Sequence, residues 1–129
     1  MKPLYTLNGI VQHGNKRGKE MGFPTINLQT ELNSTDGLYL SQTLVQNTWY
    51  NSLTFIGVAK TFNAKDYLAE TFILDFNKDI YGESVTVTIL KKLRGNVKFA
   101  SVPELVEQMK LDEKAAREFF LSFSHKTQV

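Results

Sequence analysis

The chain has 129 residues, 42% hydrophobic and 22% charged, which suits one globular domain of ordinary size and leaves little room for a second. It holds no cysteine, so a disulfide framework, a thiolate zinc site and a cysteine nucleophile are excluded. A formal charge of +2 is too mild to imply nucleic acid, and no apolar run approaches the ~20 residues that span a bilayer.

From residue 4 to about 94 the pattern is one of short β-like runs separated by turn signals. "LYTLNGIVQH" opens as a strand with Gly9 inside it, a place for a bulge or a close backbone approach. Next comes "KRGKEMGFPTINLQ", residues 16–29, which crowds Lys16, Arg17 and Lys19 among Gly18 and Gly22 ahead of a rigid Pro-Thr-Ile-Asn step. Its second half is extended in character, because Pro24 disfavours helical geometry at Phe23. "GLYLSQTLVQ" and "WYNSLTFIGV" flank "NT" and read as a hairpin turning at Asn47 and Thr48. "ETFILDF" is a short apolar run bounded by the charged turn "NKDIYGE". "SVTVTIL" alternates, with Val85, Val87 and Ile89 on one face and Thr86 and Thr88 on the other, the period of a half-buried strand.

The character changes after residue 100. Ser101 and Glu104 match a capping box, and Pro103 sits where the first turn of a helix tolerates proline. Leu105, Val106 and Met109 recur at helical spacing. Asp112 reads as a second N-cap before "EKAAREFFLSF", where Ala115, Phe119 and Phe123 share a face that we assign to core contacts. The architecture expected is an all-β barrel or sandwich over about 4–99 with a helical tail over about 101–123, in a single domain spanning 1–129.

Two basic groups stand out: Lys16, Arg17 and Lys19, and then Lys91, Lys92, Arg94 and Lys98. Each alone is a solvated surface; brought together they would make an anion site. Glycines among basic residues point to phosphate, since backbone N–H groups approach an anion only where no Cβ intervenes. "GNKRGK" is not a Walker A loop, being one residue short between its glycines and lacking Ser or Thr after the lysine. Thr25 and Asn27 lie two apart on an extended segment, so a hydroxyl and an amide share a face while Ile26 packs inward. Both are oxygen ligands of the kind Mg²⁺ accepts, although such pairs on strands are commonly surface residues.

"GIVQHGNKRGKEMGFPTINL" resembles the signature of riboflavin kinases, with Gly9, Val11, Gly14, Arg17, Gly18, Gly22, Phe23, Pro24, Thr25, Asn27 and Leu28 in register. The resemblance continues at "DGLYL", at "ETFILDFNKDIYG" and at "LRGNVKF", so it covers nearly the whole chain. It implies a six-stranded antiparallel barrel with C-terminal helices, and ATP-dependent phosphorylation of the riboflavin 5′-hydroxyl to give FMN and ADP. By that resemblance Gly14, Arg17, Gly18, Lys19, Gly22, Pro24, Thr25 and Asn27 bind the nucleotide. Thr25 and Asn27 hold Mg²⁺, and Glu70 takes the hydroxyl proton. It further implies a cytoplasmic monomer whose partners are riboflavin or FMN and ATP or ADP, without nucleic acid or membrane. The adenylyltransferase half of the bifunctional relatives has no counterpart, so the reaction is expected to stop at FMN.

The chain departs from the family pattern at several positions. Ile26 replaces the usual Ala, Phe55 and Lys60 stand for Asn and Pro, Thr71–Phe72 replaces a pair ending in His, and Asn96 replaces Glu. These departures motivate an alternative, a regulatory module that binds flavin or nucleotide without turnover. A third class, an OB-like barrel binding single-stranded nucleic acid, would need exposed aromatics beside the lysines.

Overall fold

The structure, a computed structural model, describes residues 2–12, 25–30, 35–58 and 67–127. The chain divides into two compact units, Met1–Asn96 and Val97–Val129. In the first unit the described strands are β1 (Tyr5–Ile10), β2 (Ile26–Thr30), β3 (Gly37–Val45), β4 (Thr48–Val58), β5 (Tyr67–Ile73) and β6 (Ser84–Arg94). All pairings are antiparallel, in the order β1-β6-β3-β4-β5-β2.

The two ends of that order come together. The Gln12 N–H donates to the Asn27 carbonyl at 2.8 Å, and a Cβ on Gly9 would lie 3.5 Å from the Leu28 side chain. Gly9 is not a bulge, since its pairing with Val85 is regular, and a Cβ there would meet Leu28 only at ordinary contact distance, so no close backbone approach requires it. The result is a nearly closed six-stranded antiparallel barrel, as expected.

Side-chain alternation decides which face is which. Leu7, Leu28, Tyr39, Ile56, Ala69, Ile73, Val85, Val87 and Ile89 converge on one buried cluster, and Ile26 packs against it from its inward face. Polar residues share this interior. Thr43, Ser52, Ser41, Thr54 and Thr71 are all 0% exposed and form a chain of hydroxyl hydrogen bonds across β3, β4 and β5. The links are 2.8–2.9 Å, and no buried side-chain polar atom among the described residues lacks a partner. Hydroxyls serve here because each can donate and accept, so a ladder satisfies itself without charge.

The hairpin between β3 and β4 turns at Gln46 and Asn47, with φ of 49° and 68°. Both central residues of a two-residue type I′ turn need positive φ, which Asn tolerates and β-branched Thr resists. The turn therefore sits one residue earlier than the sequence suggested, and Thr48 joins the strand.

The second unit carries α1 (Val102–Thr127). Its start matches the N-cap half of the capping box, with the Glu104 N–H donating to Ser101 Oγ at 3.4 Å, while the Glu104 carboxylate reaches one residue further back and accepts from the Ala100 N–H at 3.2 Å. The second N-cap at Asp112 does not exist. α1 runs unbroken through that residue, whose carboxylate is buried and accepts from Gln108 Nε2 at 2.9 Å. An aspartate can serve mid-helix when an i−4 amide occupies it, and sequence alone reads such a residue as a cap. The most buried face follows Asp112, Ala116 and Phe120, not Ala115, Phe119 and Phe123, which are only half-buried.

Thr54 links Ser41 to Thr71, so the near-isosteric Thr54→Val should strip Thr71 of its hydroxyl partner, leave Ser41 with Ser52 alone, and cost about 1–3 kcal/mol in urea unfolding. An unchanged unfolding midpoint would show that the ladder adds nothing to stability.

Candidate active site

Three of the residues singled out in sequence lie in the described structure: Thr25, Asn27 and Glu70. In β5, Ala69, Thr71 and Ile73 face the interior, so Leu68, Glu70 and Phe72 face outward. In β2, Leu28 faces inward and Asn27 outward. The β2–β5 register pairs Leu28 with Ala69 and Asn27 with Glu70. Directly opposed residues on adjacent antiparallel strands carry Cβ atoms about 4.5–5.5 Å apart on one face. Asn27 and Glu70, 43 positions apart in sequence, are therefore cross-strand neighbours on the outer face of the barrel. Thr25 immediately precedes β2, two residues before Asn27.

Asn27 is only 5% exposed, so its amide is no solvated surface group. Its backbone carbonyl accepts from the Gln12 backbone N–H, which ties β2 to the residues just after β1. Glu70 is half-buried, and burial pushes its carboxyl above the ordinary glutamate value. Among the described residues desolvation is the cause of that shift, because burial penalises the charged form.

Among the described residues, the interior is occupied by the apolar cluster and the hydroxyl ladder, whereas Asn27 and Glu70 stand on the outer face. Thr71, which replaces a family position in sequence, belongs to that ladder, and Phe72 faces outward beside Glu70. Phe55 was noted in sequence only as a departure. The β4–β5 register sets it directly opposite Glu70, on the side away from Asn27. No signal in sequence links positions 55 and 70; only strand pairing does.

Gly14, Arg17, Gly18, Lys19, Gly22, Pro24 and Lys60 lie outside the described residues. Of the other basic group, Lys92 Nζ sits 6.0 Å from the Tyr39 ring centroid, and an Arg94 guanidinium N–H donates to the Gly95 carbonyl at 3.1 Å. Among the described residues no three His, Cys, Asp or Glu side chains cluster as a metal cage, and no helix is long and apolar enough to cross a membrane.

Comparison with known proteins follows the same line. The family described as "Flavokinase: Riboflavin kinase" matches residues 1–120. A trifunctional RibF/MnmA protein of Mycoplasmoides gallisepticum is 38% identical over 93% of this chain and 19% of its own length. The bifunctional riboflavin kinase/FMN adenylyltransferase of Haemophilus influenzae is 36% identical over 92% of this chain and 39% of its own. The chain thus spans a fifth to two fifths of these relatives. A structure titled a macrolide-efflux protein, from Streptococcus pneumoniae, superposes with a TM-score of 0.78 and 41% identity over 89% of this chain and 38% of that one. The riboflavin kinase of Trypanosoma brucei shares the fold, with a TM-score of 0.62 at 23% identity, over 90% of this chain and 79% of that one.

Because burial raises the Glu70 proton affinity in the folded state, its contribution to stability is fully present below the unfolded glutamate pKa of about 4.3. It is lost as pH rises through the folded value. Glu70→Gln should therefore be more stable than the parent at neutral pH, with the gain vanishing near pH 4 in thermal melts. A variant less stable at pH 7 would mean that the carboxylate is stabilised where it stands.

Proposed function

The chain belongs to the riboflavin kinase family, and from that premise we propose that it transfers the γ-phosphoryl group of ATP to the 5′-hydroxyl of riboflavin, giving FMN and ADP. The observation that carries this reading is the opposition of Asn27 and Glu70 on the outer face, with Thr25 one pleat away. A general base then stands next to a pair of neutral oxygen donors, in a surface that burial has already partly dried.

Phosphoryl transfer asks a protein mainly to position an in-line attack and to neutralise spreading charge. In this reading Glu70 accepts the proton of the substrate hydroxyl as its oxygen forms the new O–P bond. The bond from the γ-phosphorus to the β–γ bridging oxygen breaks, and ADP leaves with that electron pair. A carboxylate with raised proton affinity suits the task, since a base works best when its pKa approaches the working pH.

The Thr25 hydroxyl and the Asn27 amide oxygen fit a hard divalent cation, and such ions commonly take one or two protein oxygens, with phosphates and water completing the shell. Mg²⁺ held there would supply charge neutralisation on the phosphate oxygens. Phosphate contacts from Gly14, Arg17, Gly18, Lys19, Gly22 and Pro24 complete the assignment, on the strength of the family pattern alone. The full-length relatives carry further activities in parts this chain does not match, and nothing of those is assigned to it.

Incubation with riboflavin, ATP and Mg²⁺ should yield FMN by chromatography, and EDTA should abolish it. Glu70→Gln should lower kcat by at least about 10²-fold with little change in the KM for ATP. Flavin binding without ADP release would favour a non-catalytic binding module, and unchanged turnover in the variant would remove Glu70 from the mechanism.

A further inference from the structure

The outer-face row through Glu70 does not end at Asn27. Gln12 forms an antiparallel bridge with Asn27, on the side of β2 away from β5. Val11 is 4% exposed and belongs to the core cluster, so Gln12, the next residue along the chain, faces outward, and it is exposed. The bridge is made by the backbone, with the Gln12 N–H donating to the Asn27 carbonyl at 2.8 Å. Its side-chain amide takes no part in that bond. Gln12 also lies outside the residues that carry the family pattern, and only the bridge brings it beside Asn27.

Across the strands the row therefore runs Gln12, Asn27, Glu70, Phe55 and Leu38. Its two ends differ in chemistry. On one side of Glu70 stand two neutral amides; on the other stand an aromatic ring and an aliphatic side chain. Neighbouring strands lie about 4.7–4.9 Å apart, so the Gln12 backbone is about 10 Å from that of Glu70, with Asn27 between them.

In-line transfer turns this asymmetry into a direction. The attacking and departing oxygens lie on opposite sides of the phosphorus. In the proposed reaction the hydroxyl is held at Glu70 and the γ-phosphoryl group at Asn27, so the departing β-phosphate lies beyond Asn27, toward Gln12. The opposite course would run the phosphates over Phe55 and Leu38, whose side chains offer an anion no hydrogen bond. A glutamine amide offers two N–H donors and no charge of its own. Such donors stabilise a leaving diphosphate as negative charge gathers on it.

We propose that Gln12 is a further substrate-binding residue, whose side-chain amide donates to the β-phosphate of the nucleotide and stabilises the departing ADP. Its part is not covalent: the amide keeps its protons, and the electron pair of the broken bond stays on ADP. The inference rests on the kinase reading and deepens it, but its local claim is affinity for a nucleoside diphosphate, which is measured without turnover.

The test measures MgADP affinity by titration calorimetry, alongside FMN formation, for the parent and for Gln12→Ala, Gln12→Glu and Gln12→Lys. All three variants keep the backbone bond to Asn27 at an exposed position, so thermal melts should stay close to the parent. Gln12→Ala should weaken MgADP binding about tenfold and lower kcat/KM for ATP by a similar factor, with the KM for riboflavin unchanged. Gln12→Glu should bind more weakly still, and Gln12→Lys more tightly than Gln12→Ala, with a gap between the two charged variants that narrows in salt. A purely structural role would treat those two alike. Equal MgADP affinity in Gln12→Glu and Gln12→Lys, with FMN still formed by the parent, overturns the proposal alone, and this comparison stands even if Gln12→Ala fails to fold. A parent that binds MgADP but forms no FMN overturns the kinase reading, and the two charged variants still decide the contact. A parent that neither binds MgADP nor forms FMN overturns both.

Discussion

The meeting of Asn27, Glu70 and Phe55 on one face depends on the register of β5 between its two neighbours. Strand side chains alternate with period two, so a slip of one residue would exchange the faces of the whole strand. Glu70 would enter an apolar interior, and Thr71 would lose its hydroxyl partner and face outward. The correct register is held from both sides. Ala69 is fully buried opposite Leu28, and the Thr71 hydroxyl is bound at 2.9 Å by Thr54. These inward contacts never touch a substrate, yet they aim the outward residues.

The interior ladder makes that control sharper than apolar packing would. A hydrophobic cluster tolerates small shifts at modest cost, whereas a hydroxyl left without its partner in the interior costs about 1–3 kcal/mol. Five hydroxyls on three strands must therefore all be in step or several go unsatisfied together. Polar groups in a core lower its contribution to stability and raise its specificity for one pairing. In this barrel the strands so locked, β3, β4 and β5, include the two that carry Phe55 and Glu70.

Much of this was legible in sequence, and what was not has a physical reason. The alternation of "SVTVTIL" gave a strand with the right face inward, and the extended reading of the segment through Ile26 and Asn27 matches β2 with Ile26 inward. Those are local properties, set by pleat and proline. The neighbours of Glu70 are nonlocal: Asn27 and Phe55 meet it through pairings that no residue in the segment announces. The hydroxyl ladder was hidden for a similar reason, since Ser and Thr in a strand read as its wet face. Asp112 misled because its i−4 partner Gln108 satisfies it within a continuous helix, a choice invisible in an N-cap signature.

The departures from the family pattern then divide by the face they occupy. Ile26 and Thr71 point inward, where the first fills space beside the core and the second joins the ladder, so each is a matter of packing and register. Phe55 and Phe72 point outward, the first directly opposite Glu70 and the second two residues along β5. Of the substitutions that could be described, these two therefore stand on the face of the proposed site and not in the interior of the fold.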